Sequence, residues 1–175
     1  MVTVRALHDF VPEGLISFAH RIVNLDVKSG KVAVGGDGNA PISWTARKDI
    51  ARFLAHVLVH SPASRLQNQI LRLEGDRVVC FLLFLAQIRQ RIHRITRSQS
   101  FNEIFRGYEE RTGTKLDVTY RTIDSLGAKL AENAYDFDAY LHIIWATDGL
   151  VGEPDNGLFP EWNPTKVVDI LAPRA

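Results

Sequence analysis

The hydrophobic period of this chain switches repeatedly between about two and about 3.6 residues, which makes it a mixed α/β sequence, and no internal repeat is present. Leu25 to Val34 alternates and turns like a strand pair. Gly35 to Pro41 then supplies the Gly, Asp and Asn of a tight turn before Ile42–Trp44, so this stretch reads as a β-hairpin. From Asp49 to His60, the apolar residues Ile50, Phe53, Leu54, Val57 and Leu58 recur at helical spacing and mark one face of an amphipathic helix, which Ser61-Pro62 ends. Gln69 to Glu74 reads as a short strand closed by Gly75-Asp76.

Ser100-Phe101-Asn102-Glu103 is a capping-box sequence: the serine hydroxyl can accept from the Glu103 backbone N–H while the glutamate returns the bond. The helix it starts carries Ile104, Phe105 and Tyr108 inward and stops at Gly113. Leu116, Val118 and Tyr120 alternate as a strand, and Thr122 to Leu150 holds two helical segments separated near Tyr135-Asp136. Val151 to Pro160 is a loop, and Asn163-Pro164 caps and starts a last helix through Leu171.

At 175 residues with 46% hydrophobic content, one domain with one core is expected. A formal net charge of +1 gives no global electrostatic argument for nucleic acid or anionic lipid. The single cysteine, Cys80, forms no intrachain disulfide and fits a reducing, cytoplasmic compartment. The N-terminus does not read as a signal peptide, and no run approaches the roughly 20 apolar residues of a membrane-spanning helix.

Several constellations that resemble chemistry have simpler readings. Gly36-Asp37-Gly38 lacks the third glycine of a phosphate loop, and Asp37 would repel a phosphate, so a plain turn is expected. His56 and His60 have the spacing of a two-histidine metal site, but no glutamate follows the first; no metal ligand is assigned. Asp136 and Asp138 are two apart and point in different directions on a helix, which favours capping over a carboxylate pair. His142, Trp145 and Asp148 share a helical spacing, with Trp145 expected in the core and the other two at a solvated edge. No Gly-x-Ser-x-Gly occurs, which sets the hydrolase class aside.

Four blocks, GDGNAPISWTARKDIARFLAHVL at 36–58, LRLEGDR at 71–77, SFNEIFRGYEERTGTKLDVTY at 100–120 and FPEWNPTKVVDIL at 159–171, occur in an order that resembles the NmrA-like and isoflavone-reductase-like proteins, atypical members of the short-chain dehydrogenase/reductase group. The resemblance implies an α/β fold, the C-terminal part of a Rossmann-type doubly wound sheet with its smaller substrate-binding lobe. It spans residues 1–175 as the substrate-side region without the Gly-rich dinucleotide-binding half. In the family that half binds NADP or NAD and a lysine does the catalytic work. This chain has no Gly-x-Gly-x-x-Gly, and Tyr108, Tyr120, Tyr135 and Tyr140 all lack a lysine four residues on. No catalytic or cofactor-binding residue is therefore assigned, and the chain is not expected to bind the dinucleotide alone.

The resemblance places residues 10–20 against the substrate pocket, so Phe10, Leu15, Phe18 and Trp44 are expected to line an apolar cleft, the alternative being that they are core. Asp49 is expected to stabilise a helix start. Residues 78–99 contain four arginines, no acid and the only cysteine, and interrupt the family order. They read as a non-family insertion, a retained intron translated in frame. The alternatives are a plain amphipathic helix or a membrane-surface segment.

Two functions follow from the resemblance. One is the substrate-binding portion of an NAD(P)H-dependent oxidoreductase acting on a small apolar or aromatic molecule, inactive alone. The other is a non-catalytic, dinucleotide-sensing regulator that binds a partner protein. A small-molecule substrate is the expected partner, with neither nucleic acid nor membrane, and a homo-oligomer or protein partner stays open.

Overall fold

A computed structural model describes residues 3–5, 25–79, 96–147, 149 and 152–174. The chain is mixed α/β, with its described strands in three small sheets. In the first, β1 (Thr3–Arg5) runs parallel to β5 (Ile70–Arg72). The second holds β2 (Leu25–Asp26), β3 (Lys31–Gly35) and β8 (Asp117–Arg121), with β3 central, antiparallel to β2 and parallel to β8. In the third, β4 (Pro41–Ile42) and β6 (Arg77–Val79) flank β7 (Thr96–Ser100), both antiparallel to it. The helices are α1 (Arg47–His60), α2 (Ala63–Leu66), α3 (Phe101–Thr112), α4 (Ile123–Glu132), α5 (Phe137–Thr147) and α6 (Val167–Leu171).

Local chemistry explains most of the element ends. The β2–β3 turn closes because Asp26 Oδ1 accepts from the backbone N–H groups of Lys28 and Ser29, both at 3.1 Å. The expected capping box is present at Ser100, and α3 ends on Gly113 at φ 72°, a left-handed cap. Thr122 Oγ1 accepts from Ser125 N at 3.2 Å and starts α4, and the break at 133–136 separates it from α5 as the sequence implied.

The glycine turn after β3 behaves differently from the expected hairpin. β3 and β4 do not pair; β4 joins β7 in another sheet. The reason lies in α3, whose first residues grip the turn. Asn102 Nδ2 donates to the Asp37 carbonyl at 2.9 Å, and Asn102 N donates to the Gly38 carbonyl at 3.1 Å. Gly38 sits at φ 72°, and a Cβ there would meet Asn102 Oδ1 at 2.6 Å, so only glycine fits the close approach.

Two apolar clusters result. The first gathers Leu25, Val32, Val34, Ile42, Trp44, Phe101, Phe105 and Trp145 between the second and third sheets and helices α3 and α5. The second joins Phe53 and Val57 of α1 to Leu66, Leu71 and Leu73, with Trp162 packed against it. Phe53 and Val57 turn inward as expected, but Leu58 is 54% exposed, because α1 lies on the cluster by its Ile50, Phe53 and Val57 side. The last helix also starts later than expected, at Val167 with Lys166 as N-cap. Its approach is extended because Thr165 N donates to Asp49 Oδ2 at 2.6 Å and Val167 N donates to Asp76 Oδ2 at 2.8 Å.

Of the segment 78–99, residues 80–95 lie outside the described residues. The flanks pair with each other, Val79 opposite Thr96, so the stretch leaves and re-enters the third sheet at one place.

Candidate functional site

The parallel strands β3 and β8 end side by side, and ligands of α/β sheets bind outside the carboxyl ends of parallel strands. There Gly36 and Asp37 on one side and Tyr120, Arg121 and Thr122 on the other line an open pocket of about 430 Å³. Tyr120 is 51% exposed, and its hydroxyl donates to Asn102 Oδ1 at 2.9 Å, which ties the pocket wall to α3 and the glycine turn.

Behind the pocket lies a polar chain that composition alone does not reveal. Arg121 holds the Asp138 carboxylate through both terminal nitrogens: Nη2 donates to Oδ1 at 3.1 Å, and Nη1 donates to Oδ2. His142 is fully buried on the next turn of α5, with Nε2 3.4 Å from Asp138 Oδ1. Its Nδ1 accepts from the Gly35 backbone N–H at 3.1 Å, which leaves the ring proton on Nε2, facing the carboxylate. Burial pushes the Asp138 carboxyl up, but the hydrogen bonds and charge of Arg121 outweigh it and hold the group below its ordinary value.

His142 is thus a core residue and not at the solvated edge expected for it, because α5 presses directly on β3. A Cβ at Gly35 would meet the His142 carbonyl at 2.4 Å. Trp145 is buried as expected, and Asp148 lies outside the described residues. Asp136 does cap: its Oδ1 accepts from Ala139 N at 2.9 Å. Asp138, two residues on, serves the ion pair instead.

Apart from the buried Arg121 Nε, which has no hydrogen-bond partner among the described residues, the polar side chains on this pocket each hold another part of the protein. Arg121 is spent on Asp138, Thr122 on the start of α4, Tyr120 on Asn102, and Asp37 on Asn39, whose backbone and side-chain N–H groups lower its carboxyl. Among the described residues no nucleophile and base face each other across it.

Nor does the glycine turn fit a dinucleotide. It connects two strands and not a strand to a helix, its carboxylate stays ionised, and Asn102 and Tyr120 occupy the space above Gly38. Among the described residues no helix N-terminus follows a Gly-rich strand end.

Of the residues expected at an apolar cleft, Phe10, Leu15 and Phe18 lie outside the described residues. Trp44 is fully buried, donates its indole N–H to the Gln99 carbonyl at 2.9 Å and meets Phe101 edge-on at 5.3 Å, which is the core alternative for that residue. Asp49 is stabilising beyond the helix start: fully buried, it pairs with Arg52 at 2.8 Å and holds Thr165 N. His56 and His60 stack at 4.2 Å, and His56 lies flat on Phe159 at 3.9 Å. Among the described residues no group of three or more His, Cys, Asp or Glu side chains converges on a metal position, and no helix is long and apolar enough to cross a membrane.

No protein-family profile matches the chain, and no curated protein sequence does. Solved structures do match. The crystal structure of isoflavone reductase superposes with a TM-score of 0.54 at 18% identity, covering 81% of this chain and 42% of that one. The ternary complex of leucoanthocyanidin reductase from Vitis vinifera gives 0.53 at 18%, covering 80% and 44%. An NADPH-dependent quinone oxidoreductase from Escherichia coli gives 0.55 at 13%, covering 92% and 50%. The chain spans half or less of the length of each of these structures. It therefore shares the α/β fold of part of these reductase structures.

Proposed function

We propose that this chain is the substrate-side portion of an NAD(P)H-dependent reductase acting on a small apolar or aromatic molecule, and that it neither holds the dinucleotide nor turns over substrate alone. The observation that carries the reading is the fold shared with reductases over most of this chain but at most half of theirs. In the complete reaction the cofactor supplies the hydride, and this portion supplies fit and exclusion of water. Phe10, Leu15 and Phe18 are the residues we assign to the substrate wall, since an apolar lining suits an aromatic acceptor. Trp44 has no exposed surface and is assigned to the core instead. Residues 78–99 are then an addition to the family order, and the lone Cys80 fits a cytoplasmic setting.

The absence of a Gly-rich dinucleotide loop from the sequence and the filled space above Gly38 support inactivity alone. The test is a titration of the folded chain with NADPH, followed through the fluorescence of Trp44, Trp145 and Trp162. No saturable change is expected. Saturable micromolar binding would overturn the reading of a portion without a dinucleotide site.

A further inference from the structure

The outer edge of β8 has no partner strand among the described residues, since the sheet order is β2-β3-β8. Its backbone register shows which groups are open. Asp117 N donates to the Gly30 carbonyl and the Arg121 carbonyl accepts from Gly36 N, both at 2.8 Å, so residues 117 and 121 direct their backbone groups toward β3. Successive residues of a strand direct theirs to opposite edges. The N–H and C=O groups of Val118 and Tyr120 therefore line the free edge.

Exposed edges of this kind are templates for another chain. The sequence of the strand says which one. Written antiparallel to itself about Thr119, Asp-Val-Thr-Tyr-Arg sets Asp117 opposite Arg121, Val118 opposite Tyr120 and Thr119 opposite Thr119. Opposite charges, a β-branched residue against an aromatic ring and paired threonines are the cross-strand pairs that stabilise a sheet. The same register makes Val118 and Tyr120 the hydrogen-bonded pairs, which matches the groups the edge leaves open. A parallel copy would instead set Asp117 against Asp117 and Arg121 against Arg121, so charge selects the antiparallel arrangement.

We propose that β8 pairs with β8 of a second copy of this chain across a two-fold axis through Thr119, joining two three-stranded sheets into one of six. The interface is isologous and closes on itself, so it ends at a dimer and not a filament. Arg121 keeps Asp138 as its partner, so Asp117 of the second copy approaches an existing ion pair; the charges set the register and contribute little to affinity. Five residues per strand make an interface at the small end of the range, and the dimer dissociates on dilution.

This inference does not depend on the reductase reading. Sedimentation equilibrium of the whole chain over a range of concentrations, combined with amide hydrogen exchange, tests it. A monomer–dimer equilibrium is expected, with the Val118 and Tyr120 amides slowed in concentrated solution and released on dilution, while Thr119 and Arg121 stay protected throughout. Thr119→Lys, at an exposed position, sets two ammonium groups face to face. It should weaken the dimer at least tenfold and leave the thermal midpoint unchanged, whereas Thr119→Val keeps the dimer. A wild-type chain that stays monomeric up to its solubility limit overturns the proposal. So does a dimer in which the Val118 and Tyr120 amides exchange freely, a result that needs no variant to fold.

Discussion

The two apolar clusters are sealed in different ways. In the first, aromatic rings interlock: Trp44 meets Phe101 edge-on at 5.3 Å, and Phe101 meets Trp145 at 5.5 Å. Strands close around them, with the Arg121–Asp138–His142 chain at the margin. In the second, Phe53, Val57, Leu71 and Leu73 are covered by a return segment that polar groups hold in place. Asp155 Oδ2 accepts from Arg72 N at 2.8 Å, Trp162 Nε1 donates to the Glu74 carbonyl at 3.1 Å, and Asp49 and Asp76 fix Thr165 and Val167. A helix and a short strand cannot enclose their own apolar faces, so this cluster depends on chain that arrives 83 to 116 residues later in sequence.

The strongest test of that difference is Phe53→Ala. It removes a fully buried ring that meets Trp162 edge-on at 5.7 Å, and the expected cost is about 3–5 kcal/mol in urea unfolding. Trp162 should shift toward the emission of an exposed indole in the native state while the Trp44 cluster stays intact. Simultaneous loss of both clusters would mean that they form one cooperative core.

Acid should act on the two regions with opposite sign. Asp138 titrates below its ordinary value, so the stability it contributes is present above the ordinary carboxylate range and is lost as pH falls through its depressed value. Burial pushes Asp76 up, so its ionisation costs stability as pH rises from the ordinary range through the raised value, and acidification removes that cost. Asp138→Asn should cost about 1–3 kcal/mol at neutral pH and flatten the acid limb of the stability curve. Asp76→Asn should change neutral stability by less than about 1 kcal/mol and abolish the opposing slope. Acid limbs that flatten identically in both variants would refute the contrast.

The smallest effect is local. Ser100→Ala removes the hydroxyl that accepts from Glu103 N at 3.4 Å, and should cost about 1 kcal/mol by thermal unfolding without altering either cluster.

Elements governed by neighbours in sequence were legible beforehand. The capping box at Ser100, the left-handed stop at Gly113 and the helix carrying Phe53 and Val57 inward all rest on residues a few positions apart, where period and capping chemistry act directly. The glycine turn was legible as a turn but not in its destination. Its backbone permits several exits, and Asn102, 64 positions beyond Gly38, selects the one toward β7. His142 was misjudged for the same reason: an ionisable ring on an amphipathic helix carries no sign of the Gly35 N–H and Asp138 carboxylate that satisfy it inside.

By itself, then, the sequence determined the α/β class, most helix boundaries and the resemblance to the reductases, because each depends on short-range periodicity, capping or residue order. Tertiary structure alone decided that Trp44 belongs to the core, that the two buried carboxylates of Asp49 and Asp76 clamp the return segment, and that β8 presents an edge without a partner strand among the described residues. Each of these depends on groups distant in the chain meeting in space, and burial and hydrogen bonding are satisfied only where they meet.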